Sequence, residues 1–503
     1  MSGKDKAITG TFYQFLAVSS SFIVGSAFYI YLSKYYSTTY VGYVAIFIAI
    51  AGIFNTVFSL GLSQASQHFI SFYMARQQYE KIRSFLRKGI FYALLMSILA
   101  MLSVLALAPY LSVMFLHTPA DVTTVRILGM YVFFLLLSSI LSGMILGLQR
   151  FRAGGKIGMV TALLAYVLAG LLLFRFGSQI WIIIGWSTGY AFGTVASIAV
   201  IRIETRKFNC SNEFLDFRPV IKYSSPILFS SIVGLSAVYL DRFVVAYFIS
   251  ISTLGVYNFA LLITSTLGLF VSPLYNVMMP KLSELFSLND STGIKNGIKI
   301  SSNFISFFYV PAALGAAALA PRILLLLTGS EYLPATLPLM ILLIISAIFI
   351  TQGVFVQSIS AVRRTPVFVV SATATLISNV SLSFVLIPVY GIVGAAIANS
   401  SVTVVSFFIL FGVMRAQGLS NFDVATIGKI WCASVAMAVA VFIFSSIMPT
   451  AYVMLIPLIL LGALLYFGLV KIVNVVRPED KAWLLAAVKG SSSFFHRLLS
   501  LLL

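Results

Sequence analysis

Long apolar runs separated by short polar connections recur along the whole chain. Each is close to the ~20 residues that a helix needs to cross a hydrocarbon core of ~30 Å. There are about fourteen, near 12–33, 41–62, 89–108, 127–148, 157–174, 180–200, 224–248, 254–276, 300–320, 335–357, 367–387, 392–414, 430–448 and 452–474. The pattern therefore predicts an all-α polytopic membrane protein.

Basic residues fall almost entirely on alternate connections between these runs. With the N-terminus in the cytosol, 27 of the 32 Lys and Arg residues are cytosolic, and only Lys34, Arg126, Arg175 and Arg322 are external. Arg242 lies within a span. Because Lys and Arg resist translocation, this asymmetry predicts a cell-membrane protein with both termini in the cytosol. This topology explains the net charge of +19, which also attracts anionic lipids of the inner leaflet. We therefore expect no nucleic-acid partner.

Short segments recur along the chain with a nearly constant offset, which indicates an internal duplication. The matches are Ala106–Pro109 with Ala318–Pro321, offset by 212, and Gly42 with Gly255, Arg150 with Arg363 and Arg202 with Arg415, each offset by 213. The period is six helices, so both copies enter the membrane from the same side as a parallel repeat. We predict an N-lobe at 1–205, a C-lobe at 206–415, two further helices at 416–474 and a cytosolic interfacial tail at 475–503.

The sequence offers little chemistry for an enzyme. It contains no GxxxxGK[ST] phosphate loop, so we expect no ATP hydrolysis by this chain. Its histidines, His68, His117 and His496, are scattered, and its external connections are short. We therefore predict a transporter or flippase with no catalytic residues, no metal and no cofactor, except possible coupling to Na⁺ or H⁺.

A stripe of small polar side chains follows predicted helix 2. Asn55, Ser59 and Ser63 are spaced by four residues, and the offset of 213 carries the last two to Ser272 and Asn276 in predicted helix 8. Equivalent polar stripes in both lobes suit the wall of a substrate cavity. The alternative is hydrogen bonding between helices, for which Ser and Asn are common.

Asp241 and Arg242 are the charges predicted to lie inside a span, where either costs at least ~2.5–3.5 kcal/mol on insertion scales. Arg242 is a candidate to bind phosphate with its planar guanidinium, and Asp241 to bind a proton or sodium ion. Asn379 and Asn399 are candidate polar neighbours of Asp241. Alternatively, both charges lock predicted helix 7 to its neighbours.

Two pairs of arginines lie at equivalent cytosolic ends of predicted helices 4 and 10. They are Arg150 with Arg152, and Arg363 with Arg364. They are candidates to attract pyrophosphate to the inner mouth of a transport path, although the preference for positive charge in the cytosol explains them equally well.

Several motifs resemble those of the oligosaccharide flippases, the polysaccharide transporter branch of the multidrug/oligosaccharidyl-lipid/polysaccharide (MOP) exporter superfamily. They are Gly147–Phe151, Leu240–Arg242, Leu254–Tyr257, Pro280–Ser283, Leu327–Tyr332 and Tyr390–Ala396. The resemblance implies movement of a polyprenyl- or dolichyl-(pyro)phosphate-linked sugar from the inner to the outer leaflet. It also implies membrane lipids and glycan-assembly enzymes as partners.

Two other functions remain open from the sequence. A drug exporter of the same superfamily shares the architecture, but a cation exporter favours acidic cavity residues, and Asp241 is the single candidate. A membrane enzyme of polysaccharide synthesis needs a large external loop or a carboxylate-rich site, which the sequence lacks.

Overall fold

All regular structure in the described part of the chain is helical. The computed structural model describes residues 3–118, 121–206, 218–288, 290–361, 366–419, 423–449 and 452–473. The helices are α1 (Gly3–Tyr35), α2 (Thr38–Ser59), α3 (Leu62–Ala75), α4 (Tyr79–Leu111), α5 (Val122–Gly147), α6 (Phe151–Phe176), α7 (Ile180–Thr205), α8 (Arg218–Phe248), α9 (Ile251–Ser287), α10 (Ser291–Ala318), α11 (Ala320–Thr328), α12 (Thr336–Ile348), α13 (Gln352–Ala361), α14 (Pro366–Tyr390), α15 (Ile392–Ala416), α16 (Val424–Ile447) and α17 (Tyr452–Ile472). A π-helical turn, Ser112–Leu116, follows α4, and a 3₁₀ turn, Ser330–Ala335, precedes α12.

Thirteen helical segments within the described ranges are long and apolar enough to cross a membrane. They coincide with thirteen of the fourteen predicted spans. Helix α8 covers the remaining prediction at 224–248 as one continuous helix of 31 residues. The prediction of an all-α polytopic membrane protein is confirmed.

Two predicted spans differ from the observed helices. Helix α2 ends at Ser59 because Leu60 and Gly61 adopt left-handed φ angles of 47° and 69°, and α3 then begins at Leu62. Predicted helix 10 is divided between α12 and α13, and the Tyr275 hydroxyl donates a hydrogen bond of 2.8 Å to the Ile350 carbonyl at the break. The predicted interfacial tail at 475–503 lies outside the described residues.

The chain forms two compact units, Met1–Gly255 and Val256–Leu503. In the first unit, α8 packs against α2 and α3, although the sequence repeat assigns it to the C-lobe. The N-lobe and C-lobe are defined by the repeat in the sequence and not by these compact units. Their boundaries stay a prediction.

Within the first unit, α6 and α7 pack at very short range. Gly185, Gly189 and Gly193 are spaced by four residues and predict a flat helix face for close packing. A Cβ atom on any of them would lie only 2.3–2.5 Å from an atom of α6, at Ala169, Ala165 and Thr161 respectively. The prediction of a close-packed glycine face is confirmed.

Repeat-equivalent positions also meet within the first unit, where the N-terminal ends of α2 and α9 cross. A Cβ on Gly42 would lie 1.9 Å from the Ile251 carbonyl oxygen, and one on Gly255 would lie 2.0 Å from the Thr38 carbonyl oxygen. The hydroxyls of Thr38 and Ser252 are 2.6 Å apart. Gly42 and Gly255 are equivalent at the offset of 213, as are Thr38 and Ile251. Such reciprocity is typical of a two-fold contact between copies of one motif.

Within the second unit, α16 and α17 pack against α10 through an apolar cluster that includes Val310, Met437 and Leu458. The Tyr466 hydroxyl of α17 donates a hydrogen bond of 2.7 Å to the Phe307 carbonyl of α10. The two helices that follow the repeat are therefore integral to the second unit.

Asp423 joins α10 to the start of α16. Its Oδ1 accepts from the Thr426 backbone N–H at 3.1 Å, which caps α16, and its Oδ2 lies 3.2 Å from Lys299 Nζ of α10. Burial of this carboxyl opposes its ionisation, but the hydrogen bonds from Thr426 and Lys299 hold its pKa below the ordinary value. Its contribution to stability is therefore complete above the ordinary carboxyl pKa and is lost as the pH falls through the lowered folded-state pKa.

We predict different costs for two substitutions of Asp423. Asp423→Asn keeps an equally good helix cap and loses the ion pair, whereas Asp423→Ala loses both and costs about 1 kcal/mol more. Thermal unfolding in detergent at neutral pH measures the difference. Acidification should destabilise the wild type more than Asp423→Asn, and an equal acid response in both would contradict this account.

Candidate functional site

The two charges predicted inside a span lie next to each other in α8 but in different surroundings. Asp241 is fully buried, and its Oδ1 accepts a hydrogen bond of 2.8 Å from the Arg242 backbone N–H. Its side chain also has a further interaction. A carboxyl group removed from solvent in this way requires hydrogen-bonding or ionic partners.

Arg242 is only half-buried, and an aromatic ring supports it. Its Cζ lies 5.0 Å from the centroid of Tyr239, one helical turn earlier, which is a cation–π geometry. The Tyr239 ring in turn lies against Gly52 of α2, where an added Cβ would be 2.8 Å from the ring. The Nε atom of Arg242 is buried and has no hydrogen-bond partner among the described residues. The guanidinium is thus held in the first unit with one buried donor that is unpaired among the described residues.

A cluster of aromatic side chains fills the interior of the first unit between α1, α5, α6 and α7. Trp186 is nearly fully buried, and its ring centroid lies 5.2 Å from Tyr131, 6.2 Å from Tyr166 and 6.4 Å from Phe28. Tyr190 lies 5.5 Å from Tyr131. Within the described residues, the Trp186 Nε1 atom is buried without a hydrogen-bond partner. An unpaired buried donor costs free energy, so this indole is a second group that lacks an acceptor among the described residues.

The polar stripe of predicted helix 2 is divided between α2 and α3. Some of its side chains bond to another helix, and one bonds within its own helix. Asn55 in α2 accepts a hydrogen bond of 3.2 Å from the Ser139 hydroxyl of α5. The Ser59 hydroxyl donates to the Thr56 carbonyl at 2.9 Å within its own helix. Ser63 lies in the first turn of α3 and donates to the Ser139 carbonyl at 3.0 Å. Asn55 and Ser63 therefore connect helices here, and a role for Asn55 and Ser59 in substrate binding stays a prediction.

The predicted site residues of the second unit lie in α9, α14 and α15. Asn379 in α14 is fully buried and accepts a hydrogen bond of 3.1 Å from the Ser383 hydroxyl. Asn399 in α15 is half-buried, and both asparagines have further interactions. Ser272 and Asn276 belong to α9, but their side chains lie outside the described ones. Their predicted roles remain untested.

The arginines predicted at the inner mouth have distinct surroundings. Arg150 forms an ion pair of 2.6 Å with Glu204, in the last turn of α7. Arg152 is exposed at the start of α6 and has an interaction of its own. Arg363 and Arg364 lie outside the described residues. Because part of the Arg150 charge is neutralised locally, Arg150 is a weaker candidate for phosphate than Arg242.

The aromatic surroundings of Arg242 and Trp186 were not predicted from the sequence. Tyr239 precedes Arg242 by three residues, a spacing that places the two side chains on one helix face. That local signal could have been used. The contacts among Phe28, Tyr131 and Trp186 join distant parts of the chain, and no spacing in the sequence indicates them.

Comparison with known proteins supplies the family. The family model described as a polysaccharide biosynthesis protein matches residues 7–286, more than half of the 503 residues. A probable low-salt glycan biosynthesis flippase of Haloferax volcanii is 28% identical over 244 residues, which are 46% of this chain and 50% of that protein. The match thus spans about half the length of that relative.

Two solved structures share the fold. The lipid II flippase MurJ, in an inward closed conformation, superposes with a TM-score of 0.72 at 18% identity, covering 91% of this chain and 97% of that one. An inward-facing multidrug resistance MATE transporter of the MOP superfamily superposes with a TM-score of 0.64 at 13% identity, covering 79% and 95%. At these identities the likeness is one of fold. The family match over residues 7–286 shows that the chain belongs to the polysaccharide biosynthesis protein family.

Proposed function

We propose that this protein moves a polyprenyl- or dolichyl-(pyro)phosphate-linked oligosaccharide from the inner to the outer leaflet. The observation that carries the proposal is Arg242, a half-buried guanidinium supported by Tyr239 in α8, the helix at the predicted span 224–248. A cation is costly at such a position unless it has an anionic or hydrated partner, and its buried Nε has no hydrogen-bond partner among the described residues. A phosphate oxygen of a lipid carrier meets both requirements.

The aromatic side chains inside the first unit also suit a lipid-linked sugar. The phenol and indole groups near Trp186 combine apolar ring surface with hydrogen-bond donors, which suits a polar headgroup attached to a hydrocarbon tail. The relative from Haloferax volcanii is a probable flippase of glycan biosynthesis. A drug exporter of small cations would favour acidic residues, whereas Asp241 here is fully buried beside an arginine.

The transport step that we propose is alternating access. The glycine crossing between Gly42 and Gly255 joins equivalent ends of α2 and α9, on the side that the charge asymmetry predicts to be external. Opening toward the outside would require these ends to separate. Asp241 is our candidate to couple this change to a gradient, since a fully buried carboxyl changes its partners when it binds a proton or Na⁺.

The proposed substrate also indicates the membrane in which the protein acts and the proteins that act with it. We place the protein in the cell membrane with both termini in the cytosol, consistent with the distribution of Lys and Arg. Membrane lipids surround it, and enzymes of glycan assembly would supply the loaded carrier and receive it afterwards.

Arg242 provides the first test of this function. Arg242→Lys keeps the charge but loses the bidentate geometry, so we expect a folded protein with transport reduced about tenfold. Arg242→Ala should reduce transport further. Both are measured by flipping of a fluorescent lipid-linked sugar in liposomes, at matched protein levels.

Arg175→Ala is the matched control, because Arg175 is exposed at the end of α6 and its loss should leave flipping unchanged. Wild-type flipping by a well-folded Arg242→Ala would exclude the phosphate-binding role. Misfolding of both Arg242 variants would instead support the structural lock between α8 and its neighbours.

A further inference from the structure

An exposed column of stacked planar groups lies on α3 and the first turns of α8 in the first unit. The rings of Tyr223 and His68 are 4.5 Å apart and within 13° of parallel. His68 and Phe72 follow at 6.5 Å and 20°, and the Arg76 guanidinium lies 4.1 Å from the Phe72 centroid. We call these four residues the α3 column. All four side chains are exposed, so the stacking does not result from burial in a core.

The sequence forms the column by a simple spacing. His68, Phe72 and Arg76 are each four residues apart and therefore share one face of α3. On the other side of α3, Ser66 and Ile70 are buried. The left-handed residues at the end of α2 set the start of α3, and α8 adds Tyr223 from its first turns.

The column presents hydrogen-bond donors and positive charge outward. Stacking uses the ring faces, where aromatic groups are negative, and leaves their positive edges exposed. Arg76 forms no ion pair with a described carboxylate, and His68 has no hydrogen bond within the described part of the chain. Lys222 is exposed next to Tyr223. Charge complementarity thus favours an anionic ligand rich in acceptors.

The position of the α3 column relative to the membrane limits the possible ligands further. Helix α2 is a candidate membrane-spanning segment, and α3 follows it at the end that the charge asymmetry predicts to be cytosolic. Arg76 and Lys222 belong to the predicted cytosolic set of basic residues. The column therefore lies where the headgroup of an inner-leaflet lipid reaches the protein.

We propose that the α3 column is an entry site for the diphosphate headgroup of the lipid carrier, with Arg76 and His68 as its donors. The identity of this ligand depends on the proposed function. Arg76 binds the diphosphate through charge-assisted hydrogen bonds while the Phe72 ring holds its guanidinium in place. The site precedes Arg242 on the path of the substrate and is separate from it.

Binding is tested without transport. The purified chain in phosphatidylcholine nanodiscs is titrated with farnesyl diphosphate, and the His68 imidazole resonances are followed by NMR, assigned by their loss in His68→Gln. We expect farnesyl diphosphate to shift them and farnesol to have no effect. Arg76→Ala should weaken binding about tenfold, since it removes charge-assisted hydrogen bonds to the diphosphate. Arg87→Ala removes an equal, exposed charge from α4 and should change affinity less than about twofold.

Three results would overturn the assignment: equal weakening by Arg76→Ala and Arg87→Ala, unchanged affinity in Arg76→Ala, or complete competition by phosphatidylglycerol nanodiscs. The last would identify a general site for anionic lipids. Diphosphate binding by a wild type that does not flip lipid-linked sugars would refute the proposed function and leave this site in place.

Discussion

Leucine at Gly42 or at Gly255 should abolish transport while the protein still reaches the membrane. Each glycine faces a backbone carbonyl of the other repeat copy, at 1.9 Å and 2.0 Å from an ideal Cβ. No side chain fits there unless α2 and α9 move apart, so the crossing of their ends cannot form. If transport alternates between a state with this crossing and a state without it, loss of one state stops the cycle. Flipping assays in liposomes measure the result.

Gly234→Leu is the control for this prediction. Gly234 lies in α8 with no atom within 4 Å of an added Cβ, so leucine should be tolerated. Normal flipping by both Gly42→Leu and Gly255→Leu would show that the crossing is not needed for transport.

The opposite manipulation, fixing the crossing in place, should also stop transport. The Thr38 and Ser252 hydroxyls are 2.6 Å apart, so cysteines there lie within disulfide reach. In a chain with Cys210→Ser and Cys432→Ser, Thr38→Cys with Ser252→Cys should lose flipping on oxidation and regain it on reduction. Either single cysteine serves as the control. Undiminished flipping with the disulfide closed would contradict alternating access at this crossing.

The second large effect concerns stability and centres on Arg322. This arginine, in α11, is nearly fully buried and donates hydrogen bonds to the carbonyls of Ser445, Met448 and Pro449 at the C-terminal end of α16. These carbonyls have no hydrogen-bond partners within the helix. The cation also interacts favourably with the partial negative charge at the C-terminal end of the helix. Arg322→Ala should lower the free energy of unfolding by on the order of 3 kcal/mol, measured by thermal or denaturant unfolding in detergent.

Arg322→Lys should fall between the wild type and Arg322→Ala, because one ammonium cannot reproduce the forked geometry. Arg415→Ala removes an exposed arginine from the last turn of α15 and should cost less than about 1 kcal/mol. An Arg322→Ala protein as stable as Arg415→Ala would show that the capping is not important.

The membrane fold could be predicted from sequence because its signals are local. Each apolar run identifies its own helix, and the thirteen candidate spans follow those runs. The breaks could not be predicted in the same way. The interruption at Ile350 is accompanied by a hydroxyl from Tyr275, 75 residues away. The end of α2 depends on left-handed angles at Leu60 and Gly61, and an apolar Leu60 gives no warning of that.

The candidate site was predictable in its charges and not in their surroundings. Asp241 and Arg242 are conspicuous in sequence because charge is rare inside spans. The different burial of the two depends on how α8 packs against α2 and α3, which involves residues far apart in the chain. The offset of 213 indicated that Gly42 and Gly255 are equivalent, but equivalence alone did not indicate that each would face the other copy's backbone.

The central claim is that this chain flips lipid-linked oligosaccharides. The most direct measurement reconstitutes the purified protein in liposomes whose two leaflets carry a fluorescent polyprenyl-diphosphate-linked sugar, and then adds a membrane-impermeant quencher. The account predicts that label in the inner leaflet becomes quenchable with wild-type protein and stays protected with Arg242→Ala. Protected inner-leaflet label in wild-type proteoliposomes, with folded protein and an imposed Na⁺ or proton gradient, would contradict it.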